Sequence, residues 1–295
     1  MKNFRVLSLF DGCAMTYDAL RKAGLTEGRS IEYYASEIDP YASDVADERV
    51  PFYRNMGDVR LVSGYQFDQF DLLIGGSPCT NLSSAGNGQG LKGDQSSLFY
   101  EYVRIKNEGN FKYFLLENVA SMRISDRDKM SEAMGCQPIR INSNLFSAQN
   151  RDRLYWTNIP VDMLQLPDFN AEVLMDVIMN ECDPISNATR YFLSEKAIAY
   201  MSRIGLGGKS RWNFMPNKLD HKSSPLTANM WKGVPYGVIE QLGRRLTPWE
   251  CERLQTLPTG WTDVDGISET QRYKMIGNGF TTKVVAWILN FIPKE

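Results

Sequence analysis

The feature that most constrains this chain is a recurring alternation: short, β-favourable apolar runs separated by helical stretches. Residues 4–10 form such a run, ending at Asp11-Gly12; residues 15–23 then carry helical spacing and stop at Gly24. Residues 31–36 read as a second strand ending in the acidic Glu37. Pro40 then opens a helix to about Arg49 from the first helical position, where proline is tolerated. Residues 70–74, 112–116, 139–142 and 154–157 add short buried strands, with a helix over residues 98–105. Strands alternating with helices indicate βαβ units and a mostly parallel sheet, an α/β fold. After Asn158 the alternation fades into a loop-rich block, and helical spacing returns at residues 249–255 and 281–292.

Open sheets of this kind bind ligands beyond the carboxyl ends of their strands, and each strand end here is unusual. After the first comes Phe10-Asp11-Gly12, where a glycine lets the backbone approach a ligand and a helix N-terminus offers free N–H groups. The full GxGxxG fingerprint is absent, so a dinucleotide site is not supported. Glu37 suits the two hydroxyls of a ribose and equally suits a surface or capping role, and Asp58-Val59 follow a short third segment. The fourth strand leads to Ser77-Pro78-Cys79, where a thiol at the sheet's edge reads better as a nucleophile than as an inert buried cysteine. The stretch after it, residues 80–97, has the glycine content of a lid. The fifth strand ends in Glu117, a carboxyl that burial would equip to hold a proton. Arg151 and Arg153, at i and i+2, would share one face of the strand running to Trp156, either as a functional pair or as a salt-bridged surface. The sole histidine, His221, reads as a surface residue.

Composition excludes several classes. The chain has 295 residues, 43% of them hydrophobic, enough for a core without staples. Five cysteines at 13, 79, 136, 182 and 251 form neither a disulfide framework nor a zinc-type pair, and no metal site is expected. No apolar stretch is long enough to span a bilayer and the first residues lack a secretory pattern, so the expectation is a soluble, cytoplasmic protein. The net charge of −2 hides a split: residues 186–245 carry 10 Lys/Arg against 3 Asp/Glu. That basic, aromatic-bearing block is either a solvated surface or a segment that meets a polyanion.

Together these segments resemble the C5-cytosine methyltransferases, most closely the Dnmt3-like branch. The ordered set runs from residues 7–12 through Ala35-Ser36-Glu37, Gly57-Asp58-Val59-Arg60, residues 71–79, Glu117-Asn118-Val119 and Gln149-Asn150-Arg151-Asp152-Arg153. It resumes at residues 245–255 and ends at Gly277-Asn278-Gly279-Phe280. The resemblance implies a Rossmann-like class I methyltransferase sheet with a smaller inserted target-recognition domain. It divides the chain into a catalytic domain over 1–156, a target-recognition domain over 157–243 and a C-terminal helical return over 244–295.

It further implies S-adenosylmethionine as cofactor, held by Phe10, Asp11, Gly12, Glu37, Ile38, Asp58, Val59, Pro78, Asn278 and Gly279. Cys79 would attack cytosine C6, Glu117 would hold N3–H and Arg153 would contact O2, with Arg151 supporting. The implied partner is double-stranded DNA with its cytosine flipped out, bound by a monomer or a dimer near the nucleoid. Ser83, Arg211, Lys222, Thr227, Asn229 and Lys232 are the candidate DNA contacts, with Trp212 beside them. Because the motifs begin within ten residues of the first methionine, a stand-alone bacterial or phage-type enzyme is expected. Cys13-Ala14-Met15 departs from the family's usual glycines, and Met15 could reshape the pocket. Two other readings stay open: a tRNA cytosine methyltransferase, and a catalytically silent DNA-binding homologue.

Overall fold

The structure is a computed structural model that describes residues 3–78, 97–178, 188–205 and 216–294. In chain order, the first stretch contains β1 (Asn3–Leu9), α1 (Met15–Lys22), β2 (Ser30–Ser36), α2 (Pro40–Arg49), β3 (Arg54–Asn55) and β4 (Phe70–Gly76). There follow α3 (Leu98–Glu108), β5 (Phe111–Val119), α4 (Ile124–Met134), β6 (Ile139–Asn142) and β7 (Asp152–Thr157). Then come α5 (Leu174–Val177), α6 (Glu195–Gly205), β8 (Val238–Ile239), β9 (Arg244–Arg245), α7 (Pro248–Leu254), α8 (Glu269–Asn278) and α9 (Thr282–Leu289). Two compact units result: Met1–Asn142 with Asp152–Leu166 and Thr282–Glu295, and Ser143–Arg151 with Pro167–Thr281.

The first unit is built on a seven-stranded sheet in the order β3-β2-β1-β4-β5-β7-β6. Neighbours from β3 to β5 run parallel, and β7 runs antiparallel to both β5 and β6. The winding reverses between β1 and β4, which places a ligand crevice at the carboxyl ends of those strands. Leu7 and Leu9 of β1, Leu73 of β4 and Leu116 of β5 pack on Phe99, Tyr102 and Ile105 of α3. Each such fully buried side chain contributes about 1.5–3 kcal/mol. On α1 and α9 the apolar faces meet one another. Asp39 caps α2 by accepting the Tyr41 amide, with Pro40 at the first helical position as expected.

The second unit has little regular structure: a two-stranded β8–β9 ribbon, short helices and long loops. Thr247 and Glu250 form a reciprocal cap that starts α7. No helix among the described residues is long and apolar enough to cross a membrane.

The α/β reading and the mostly parallel sheet are what the structure shows, and three details differ. Strand β5 runs on to Val119, so Glu117 lies within it, because β7 pairs with its last residues. Strand β7 begins at Asp152, which leaves Arg151 outside it and in the second unit. Helices α4, α6 and α8 escaped the apolar-periodicity reading; α4 buries Asp126 and Ser131, and α8 buries Arg272.

Candidate active site

In the first unit the chain leaves β1 through a tight loop. Phe10 (φ 56°), Gly12 (φ 60°) and Ala14 (φ 57°) all adopt left-handed backbone, which costs a non-glycine residue about 1–2 kcal/mol. Strain of this kind collects where a backbone must present its amides to a ligand. The Gly12 amide donates to Glu37 Oε2 at 2.8 Å, while Oε1 of the same carboxylate accepts the Ile38 and Asp39 amides at 2.8 and 2.7 Å. Glu37 is therefore locked at the end of β2, with lone pairs to spare for a pair of hydroxyls. Asp11 is buried beneath the loop. Tyr33 donates to its Oδ1 at 2.5 Å, and Oδ2 has no hydrogen-bond partner among the described residues. Burial pushes the Asp11 carboxyl up to about 7.

Asn55 joins the next two strand ends, a role the sequence reading missed. Its Oδ1 accepts the Glu37 and Gly57 amides at 3.1 and 2.9 Å, and its Nδ2 donates to the Glu37 carbonyl at 3.0 Å. Asp58, one residue past Gly57, accepts the Arg60 amide and both its oxygens accept Arg60 Nε, each at 3.0 Å. Those bonds hold its carboxyl down at about 2. Val59 is buried in the core, whereas Ile38 stands 72% exposed on the same rim. Met15 is buried in α1, so it belongs to the core.

The rim of β4, β5 and β7 holds the second cluster. Gly76 pairs in register with Glu117, and a Cβ there would lie 3.1 Å from Glu117 Oε2. Arg153, opposite Val119, brings Nε to 2.8 Å from Glu117 Oε1. The contact is an ion pair that is not aligned as a hydrogen bond, and Oε1 accepts none among the described residues. Next to it, the buried Asn118 donates through Nδ2 to the Ser77 carbonyl at 3.1 Å and to Ser77 Oγ at 3.0 Å. Asn118 thus fixes the backbone that leads into half-buried Pro78. Alternation along β5 explains the division of labour: neighbouring side chains face opposite ways. Cys79 and Ser83 lie outside the described residues, as do Arg211 and Trp212.

The remaining candidates belong to the second unit, described on its own terms. Arg151 is only 4% exposed, and donates to the carbonyls of Leu226 at 2.8 Å, Gly279 at 2.5 Å and Gly277 at 3.3 Å. It does not share a strand face with Arg153, and its guanidinium is spent on backbone. Lys222 donates to the Ser147 carbonyl at 2.9 Å, and burial lowers its ammonium from the usual lysine range. Thr227 caps a short turn by accepting the Asn229 amide at 3.3 Å. Lys232 lies over the exposed Trp231 ring, and Asn278 is exposed at the end of α8 with Gly279 next to it. His221 is exposed and pairs with Asp220, as expected of a surface residue. Cys251 is buried and its thiol is pushed well up by desolvation, while Cys136 is only partly buried. No group of metal-ligating side chains occurs among the described residues.

The family model described as C-5 cytosine-specific DNA methylase matches residues 4–176 and 186–294. Orphan methyltransferase M.SPRI of Bacillus phage SPR is 35% identical over an alignment of 184 residues that covers 58% of this chain and 41% of that protein. Type II methyltransferase M1.ScrFI of Lactococcus lactis subsp. cremoris is 25% identical over 311 residues, covering 96% of this chain and 76% of that one. This chain therefore spans about two fifths of the length of the phage relative. Among solved structures, the Entamoeba histolytica methyltransferase EhMeth aligns with a TM-score of 0.74 at 14% identity, covering 99% and 98% of the two chains. The S. pombe Dnmt2 methyltransferase aligns with a TM-score of 0.73 at 18% identity, covering 97% of each. At these identities the two structures speak to the fold alone.

Proposed function

Since the chain belongs to the C-5 cytosine-specific DNA methylase family, we propose that it methylates C5 of cytosine in duplex DNA, using S-adenosylmethionine. The observation that carries the reading is the Glu117–Arg153 pair: a partly buried carboxylate held by a guanidinium at 2.8 Å, with an oxygen that accepts no hydrogen bond among the described residues. A carboxyl oxygen left open beside a fixed cation can share a proton with N3 of an extruded cytosine while the cation faces O2.

The cofactor residues fit a nucleoside-bearing ligand. Glu37 offers lone pairs to a ribose diol, Asp58 stays ionised to accept an amine, and Ile38 offers an exposed apolar side chain on the same rim. The orphaned Asp11 Oδ2 and the left-handed loop above it add a polar wall. When bound, the cofactor supplies the electrophilic methyl group. The chain's own residues prepare its acceptor. Cys79, placed by sequence after the Ser77 anchor, adds its thiolate to C6, and the π electrons of the 5,6 double bond move toward C5. Neutral cytosine has no proton on N3, so Glu117 delivers one there as C6 is attacked and takes it back on elimination, stabilising the charge that develops on the ring, while Arg153 holds O2. After C5 gains the methyl group, water takes the C5 proton, the double bond re-forms and Cys79 leaves as its thiolate. Asn118 acts at one remove, by fixing Ser77.

Duplex DNA is favoured over tRNA by the family's description and by phage and type II relatives. Bisulfite sequencing of DNA from cells expressing the chain tests this, with tRNA from the same cells as the parallel sample. Cytosines protected from conversion in one DNA context support the reading. Protection confined to tRNA, or none in either nucleic acid, overturns it.

A further inference from the structure

Within the second unit four stretches of chain meet in a buried polar knot. Gln149, with no exposure, donates through Nε2 to the Leu254 carbonyl at 3.0 Å and to Gln255 Oε1 at 3.2 Å. Its own Oε1 accepts the Leu226 amide at 2.9 Å. Gln255, equally buried, donates to the carbonyls of Ile276 at 2.9 Å and Gly279 at 3.3 Å, and accepts the Thr281 hydroxyl at 3.0 Å. Arg151 closes the circuit through the carbonyls of Leu226, Gly277 and Gly279. Backbone bonds add to it: Asn150 N to Ser223 O at 2.9 Å and Ser223 N to Ala148 O at 2.7 Å. A Cβ on Gly277 would stand 2.2 Å from the Thr227 carbonyl, so the end of α8 lies directly against that backbone.

One end of the knot is the stretch from Ser224 to Asn229, which holds two of the candidate DNA contacts. The other is Asn278-Gly279, the candidates for closing the cofactor's methionine end. Neither end can shift alone without leaving a buried donor or acceptor unpaired, the costly half of hydrogen-bond energetics. We infer that Arg151, with Gln149 and Gln255, is a positioning assembly that couples cofactor occupancy to the order of the target-facing loop. A ligand that fixes Gly279 fixes the carbonyl that Arg151 holds, and through the same guanidinium the Leu226 carbonyl. By linkage the effect is reciprocal: a loop ordered on DNA prepares the Gly279 end for cofactor. This inference rests on the cofactor reading above and gives Arg151 a role other than contact with the cytosine.

Hydrogen–deuterium exchange on the full chain, with and without S-adenosylhomocysteine, tests it, with calorimetry reporting binding separately. In the wild type, ligand should slow exchange about fivefold or more, the lower range of typical coupling, at both 276–281 and 223–230. Arg151→Lys keeps the charge but cannot bridge three carbonyls; it should retain slowing at 276–281 and lose most of it at 223–230. Gln149→Met cuts the Leu226 tie without touching the guanidinium and should give the same pattern, which covers the case in which the arginine variant fails to fold. Wild-type protection confined to 276–281, or loop protection that survives both substitutions, overturns the coupling. Failure of the wild type to bind S-adenosylhomocysteine at all overturns the cofactor reading and the inference with it.

Discussion

The two units satisfy their buried backbone by different means. In the first, strand ladders pair most of it, and ion pairs such as Arg140–Asp152 sit where water reaches them. In the second, side chains take over: Gln149, Arg151 and Gln255 bond to backbone, and Arg244–Glu250 and Arg272–Glu252 are ion pairs almost wholly buried. A ladder repeats, so single side chains matter little to its hydrogen bonds. A polar interior depends on each member, because a partner removed leaves a charge or donor stranded.

That contrast can be broken by substitution. Arg244→Met takes the guanidinium from the buried Glu250 carboxylate and should destabilise the protein by about 3–5 kcal/mol in urea denaturation. A loss below about 1 kcal/mol would put the second unit on the same footing as surface pairs. Glu117→Gln keeps the shape of the first unit's rim but removes the carboxylate. Methyl transfer should fall about 10²–10³-fold, equivalent to about 2.7–4 kcal/mol of transition-state stabilisation, with the denaturation midpoint shifted far less than by Arg244→Met.

Asp11 sharpens the comparison from within the first unit, since it is a buried carboxyl with no ion pair among the described residues. Its folded value of about 7 lies above its ordinary 3.8. Between those values the native state holds a proton that the unfolded chain has lost. Stability should therefore fall as pH rises from about 4 to about 7, by at most about 1.4 kcal/mol per pH unit. Asp11→Asn should flatten that slope, and an unchanged slope would place its origin elsewhere. Smallest of all, Arg140→Ala breaks only an exposed pair and should leave the thermal midpoint where it was; a clear drop would mean that surface pairs also hold the sheet.

Legibility followed the same divide. Strands β1, β2 and β4 announce themselves as apolar runs because they are central and parallel, covered on both faces. The end of β5 does not, since Glu117 and Asn118 look like a strand's exit until β7 is seen paired alongside. Helices α4 and α8 hide because they bury polar side chains such as Asp126 and Arg272, which periodicity counts as exposed. At the site, Glu37 and Asp58 stand out from their places after strands, Glu117 as an acid closing a buried run, and Arg153 from the run that leads to Trp156. Asn55 and Asn118 do not, because short-range spacing gives no hint of which distant backbone a side-chain amide will clasp. Arg151 was misplaced by one rule, that i and i+2 share a face, applied one residue before the strand begins.

The reversed direction of β7 has its own consequence. In a uniformly parallel sheet, chemistry at one rim comes from chain segments on their way out of the strands. Here Arg153 arrives from an entrance, so an acid and a base from opposite directions of travel are delivered to the same spot. Turned the other way, that strand would carry its guanidinium to the far side of the molecule and leave Glu117 without a counter-ion.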